Sequence, residues 1–196
     1  MFTIFPNLYE PSIAMFYLIT KKLLLRIEQA IFMPLCVQDW LYSLILLFSF
    51  TLISIPIGLY FKFLKLQIFQ ESLLKVVYVL IYSVFSPAIT EELFFRVLLL
   101  PHMNEKATES EKWLWGFISL VIFIIYHPLE GITVFPAGLT TFVNPVFLLL
   151  TTLLGILCTI LYFQTGSIWI PVVVHWFIVI VWLLLLGGYD RLKPNK

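Results

Sequence analysis

Long apolar runs separated by short polar stretches dominate the chain, and this spacing predicts membrane-crossing helices. The first run, about Leu41–Phe61, lies between Asp39 and the pair Lys62 and Lys65. The second begins near Leu73 and ends before Pro101. Its roughly 28 residues, at 1.5 Å each, reach about 42 Å, longer than a bilayer core requires. A kink or break at Ser86-Pro87 is therefore expected. A third run, about Trp113–His127, is expected to end at Pro128, with LEGITVFPAGLTTFVN as a loop. Asn144-Pro145 then supplies an N-cap and first-turn pair for a fourth, about Pro145–Phe163. Thr165-Gly166-Ser167 turns the chain into a fifth, about Ile168–Leu186.

Residues 1–39 break this pattern. Lys21, Lys22, Arg26 and Glu28 are scattered among Leu, Ile and Phe, as in a helix lying along the membrane interface. The division is thus an N-terminal interfacial segment (1–39), a membrane domain (40–190) and a polar tail (191–196). The expected fold class is all-α: a polytopic membrane helix bundle of about five to six spans plus an N-terminal amphipathic helix.

Composition agrees. The chain is 61% hydrophobic and 12% charged, far below the roughly 25% charged residues of soluble domains. No Asp, Glu, Lys or Arg occurs between Gly131 and Tyr189. A net charge of +1 gives no reason to expect nucleic acid as a partner. Cys36 and Cys158 are far apart, with no CxxC or Cys/His metal spacing. Charge does not orient the chain. Lys62, Lys65, Lys75, Arg191, Lys193 and Lys196 would share one face, and Lys21, Lys22, Arg26, Lys106 and Lys112 the other.

Against this background Glu91, Glu92 and Arg96 are anomalous, because they fall inside the second apolar run. Each charge near a bilayer centre costs roughly 2.5–3.5 kcal/mol on insertion scales, so such residues mark functional sites by default. Glu92 and Arg96 are i,i+4 neighbours in the favourable order and can form a structural clasp. Glu91 is turned about 100° around the helix from Glu92 and cannot fully share that role. His127 and His175 are the other ionisable residues of the spans. Alternating crossings place Glu91, His127 and His175 roughly 15, 21 and 12 Å below one face, close enough for one cavity to collect them. His102, in the polar loop 101–112, is expected to be exposed to solvent.

These residues also fall into a family pattern. Glu91-Glu92-Leu-Phe-Phe-Arg96 matches EExxxR, Phe123-Ile-Ile-Tyr-His127 matches FxxxH, and His175 follows where Hxxx(N/D) would begin. Their order and spacing resemble the CPBP family (CAAX-processing and bacteriocin-processing proteins, also called Abi) over about Ser86–Trp182. One departure stands out: Val179 occupies the place where many members have Asn or Asp.

The resemblance implies a glutamate-dependent, metal-independent intramembrane endopeptidase in a bacterial cell membrane. Its substrate would be a peptide or protein segment at the bilayer. Glu91 would take a proton from a water held by His127, and His175 would donate to the tetrahedral oxyanion. Glu92, Arg96 and Phe123 would support the site: Arg96 pairs with Glu92, and Phe123 packs beneath His127. No cofactor is expected. Two histidines and a glutamate are also a possible zinc set, though HExxH is absent, and His127 and His175 a possible haem pair. A non-catalytic member, acting as a transporter or a membrane interaction protein, is the other alternative.

Overall fold

The computed structural model describes residues 9–193, with side chains from Ala14 onward; the start of the N-terminal segment and the end of the tail lie outside the described residues. The helices are α1 (Tyr9–Phe32), α2 (Val37–Tyr60), α3 (Leu73–Leu98), α4 (Glu109–Thr133), α5 (Leu139–Phe142), α6 (Pro145–Thr165), α7 (Trp169–Leu185) and α8 (Gly188–Arg191). Four of them, α2, α3, α4 and α6, are long and apolar enough to cross a membrane. The apolar α7 is shorter, at 17 residues.

The uncharged α6 is the central helix and packs against α2, α4 and α7. Asn144 Oδ1 caps it by accepting the Val146 and Phe147 N–H groups. Gly166 ends it with φ +66°, a left-handed conformation that suits glycine. Midway, Gly155 admits α4 closely: a Cβ there would lie 2.6 Å from Leu120 Cδ1 and 3.0 Å from Phe123 Cδ1. An apolar helix surrounded on several sides needs such small residues, and Gly155 lets two backbones approach.

α3 breaks where the sequence predicts. Ser86 has φ −134° and ψ 111°, extended values inside the helix, and Pro87 follows it. Widened turns on either side of Thr90–Glu92 leave backbone carbonyls in need of other donors. Side chains from neighbouring helices provide them. The Trp176 indole donates to Leu80 O (3.0 Å), Ser119 Oγ to Phe95 O (2.6 Å) and Arg26 Nη1 to Leu98 O (2.9 Å). The break thus docks α7, α4 and α1.

Two sequence expectations change. First, α4 does not stop at Pro128; it runs to Thr133, and the expected loop contributes its last helical turn. Proline removes one N–H donor, but continuation buries Gly131 against α5, where a Cβ would meet Leu139 Cα at 2.9 Å. The remainder of that loop holds a short 3₁₀ turn, Pro136–Gly138, and α5.

Second, His102 is fully buried rather than exposed. Its Nε2 donates to Gly166 O at 3.0 Å and its Nδ1 accepts the Asn104 N–H at 3.2 Å, which defines a neutral ring. Burial pushes this imidazole below its ordinary value. The left-handed turn after α6 presents the carbonyl that draws His102 in.

Beside it, Glu105 ties α1 to the bundle. Its carboxylate accepts from Arg26 Nε and Nη2, from Lys22 Nζ (2.8 Å) and from the His102 N–H (3.0 Å). Burial alone would raise its pKa, but the donors outweigh it and hold the carboxyl down at about 2. The clasp therefore stabilises the fold fully above the ordinary glutamate value of about 4.3 and is lost as pH falls toward 2. Glu105→Gln is expected to cost about 1 kcal/mol, because the pair is partly open to water. Deuterium exchange across residues 26–31 should be faster in the variant at pH 7, and the difference from wild type should shrink below pH 4.

Candidate active site

The ionisable residues of the spans gather in the middle of the bundle. Glu91, Glu92 and Arg96 come from α3 just past its break, His127 from α4 and His175 from α7. All five are buried, with Glu92 at 0% and Arg96 at 1% exposure.

Glu92 is the hub. Its Oε2 lies 3.1 Å from Arg96 Nε, and its Oε1 accepts from His175 Nδ1 at 2.7 Å. The Arg96 contact is an ion pair without hydrogen-bond alignment. Arg96 gains a firm acceptor elsewhere, donating Nη2 to Gly155 O on α6 at 3.1 Å. Its guanidinium also lies 4.9 Å from the centre of the Phe123 ring. The Glu92–Arg96 clasp read from spacing is thus present, and it reaches α4, α6 and α7 as well. The His175 bond to Glu92 joins residues 83 positions apart, and local spacing carries no signal of it.

Glu91 differs from Glu92. It is buried, yet its Oε2 has no hydrogen-bond partner among the described residues. Among the described residues, His175 Nε2 is the basic atom within ion-pair distance, at 3.8 Å. His127 Nδ1 donates to Phe123 O at 2.8 Å, so Nε2 carries the lone pair of the neutral ring. Phe123 also meets the His127 ring edge-on at 4.9 Å, and Tyr126, Phe142 and Phe147 surround that imidazole.

A cavity of about 900 Å³ separates these groups into two sets. Glu91, His127 and His175 line it, whereas Glu92, Arg96 and Phe123 do not. Val179 lines it too, as does Glu130, a residue that sequence reasoning left in a loop. Because α4 continues past Pro128, Glu130 falls one turn beyond His127 on the same helix face. From the site the cavity extends toward Phe63, Leu186 and Tyr189.

Metal-ligand chemistry can be tested against the donors present. Glu92, Cys158 and His175 bring one potential ligand atom each within 4.8 Å of the others. The same carboxylate, however, already faces the Arg96 guanidinium and accepts the His175 Nδ1–H. A metal cation held by this set would stand beside the buried, fixed positive charge of Arg96, so these three donors do not fit one.

Fold and site together define a multi-pass helical membrane protein whose ionisable side chains surround an internal cavity. The family described as Rce1-like, type II CAAX prenyl endopeptidase Rce1-like, matches residues 72–181, and the chain belongs to it. That stretch holds Glu91, Glu92, Arg96, His127 and His175 and makes the protein a member of the CPBP proteases. No curated protein and no solved structure matches the chain.

Proposed function

We propose that the protein is a metal-independent glutamic endopeptidase that cleaves a membrane-proximal peptide bond by activating water with Glu91 and His127. The observation that carries this reading is the sorting of side chains by the cavity. An uncommitted carboxylate and two imidazoles face the space, while the charge-paired Glu92 and Arg96 lie behind it.

In this reading Glu91 Oε2 takes a proton from a water whose other hydrogen is held by His127 Nε2. The water oxygen bonds to the scissile carbonyl carbon, and the carbonyl electron pair moves onto its oxygen. Glu92 holds His175 by Nδ1, so Nε2 is the nitrogen left for that oxygen, to which it donates in its protonated form. Collapse breaks the C–N bond, and the amine leaves with the proton that Glu91 returns. The substrate would be the C-terminal segment of a lipid-anchored protein, as the family name suggests, or another peptide at the surface of a bacterial cell membrane.

Cleavage of a prenylated CAAX peptide by protein purified in detergent tests the proposal. Activity should persist, within about twofold, after exhaustive treatment with EDTA and 1,10-phenanthroline. Loss of cleavage that zinc alone restores would overturn the metal-independent mechanism.

A further inference from the structure

Thr151 occupies a place that neither the motifs nor the mechanism above has used. It sits on α6, is buried, and lines the cavity. A threonine buried in an apolar helix ordinarily donates its hydroxyl to the carbonyl four residues back. Thr152 and Thr165 do so, to Leu148 O at 2.7 Å and Leu161 O at 2.8 Å. The Thr151 hydroxyl makes no hydrogen bond to Phe147 O or elsewhere among the described residues, and it is not one of the fully enclosed unpaired polar atoms, so it keeps open surface on the cavity wall.

Its level in the bundle follows from neighbouring contacts. Between α6 and α7, Cys158 meets Pro171 O at 3.9 Å and the Phe147 ring lies 5.8 Å from Trp182. In this antiparallel register Thr151 stands opposite about Ile178, one turn beyond His175 and beside Val179. Between α6 and α4, Gly155 adjoins Leu120 and Phe123, and the Phe147 ring lies 5.4 Å from His127. Thr151 is one turn from each of those α6 residues and so stands between the levels of Phe123 and His127. Thr151 thus lines the cavity at a level between the two histidine-bearing helices.

We infer that Thr151 is a second donor to the scissile carbonyl oxygen beside His175, giving it the hydroxyl hydrogen as that oxygen becomes an oxyanion. The inference rests on the peptidase reading. A hydroxyl suits the task because it donates in its ordinary state, whereas His175, held at Nδ1 by Glu92, donates at Nε2 only while protonated. On α7 the neighbouring position is Val179, whose side chain can donate nothing. Carbonyl binding from α6 supplies the second donor that this wall lacks.

The test is Thr151→Val, which keeps the shape and removes the donor. It should lower kcat by roughly 10- to 100-fold and change KM less than threefold, the pattern for a group engaged mainly in the transition state. Thr151→Ser should stay within about fivefold of wild type. Affinity for a peptide aldehyde, whose hydrate mimics the tetrahedral state, should fall about tenfold in Thr151→Val. Adding Val179→Asn to Thr151→Val should recover part of the rate. Wild-type kcat in Thr151→Val, or a loss confined to KM, would overturn the inference while leaving Glu91-dependent cleavage in place. If the wild type shows no cleavage that depends on Glu91, the peptidase reading fails first and this one with it.

Discussion

Glu91→Gln should leave a folded protein that no longer cleaves peptide, with kcat lowered at least about 10³-fold. The substitution keeps the size and hydrogen-bonding capacity of the side chain and removes only its ability to accept a proton fully. No ion pair of the clasp depends on it, since Arg96 pairs with Glu92 and His175 Nδ1 also donates to Glu92. The thermal midpoint in detergent should therefore stay within a few degrees of wild type. Cleavage of the same peptide by both proteins, at matched folded concentration, decides the matter. Equal rates would remove Glu91 from the chemistry and return the protein to its non-catalytic alternatives, a transporter or an interaction scaffold.

Glu92→Gln should fail in the opposite way, through loss of folded protein. It strips the Arg96 guanidinium, 1% exposed, of its one ion-pair partner among the described residues, and an uncompensated buried charge costs about 3–5 kcal/mol. Arg96→Met should cost a similar amount by leaving the Glu92 carboxylate with His175 alone. The double variant Glu92→Gln/Arg96→Met should be more stable than either single one. It leaves neither charge of the clasp without its partner, and the glutamine oxygen still accepts the His175 Nδ1–H. Unfolding of the four proteins in detergent gives the coupling energy directly. Additive losses would show that the two charges stabilise the bundle independently, and would break the clasp into unrelated contacts.

How much of this was legible before the structure depended on range. Uncharged runs marked the spans because the bilayer penalises each charge locally, and Ser86-Pro87 marked the break because proline acts on its immediate neighbours. Ionisable residues inside the spans marked, for the same reason, the side chains that the structure gathers at and behind one cavity wall. What escaped was decided by tertiary approach. His102 lies in a stretch that reads as solvated, and only the carbonyl of the turn at Gly166 explains its burial. Pro128 reads as a stop, yet the packing of Gly131 against α5 carries the helix onward and places Glu130 on the cavity wall. Thr151 reads as filler in an apolar helix. Its place on the cavity wall, on which the proposed role rests, is visible only once the helices are packed.

The two faces of the α3 charge cluster also bear on how such a protein drifts over time. On the proposed mechanism, changes on the cavity side, at Glu91 or His127, would remove chemistry and leave every helix-to-helix bond of the clasp in place. Changes behind it, at Glu92 or Arg96, remove the scaffold itself. On the same mechanism, a lineage that gives up proteolysis would lose its first glutamate early and keep the second. The order in which the two glutamates disappear among relatives would date the loss of catalysis, independently of any assay.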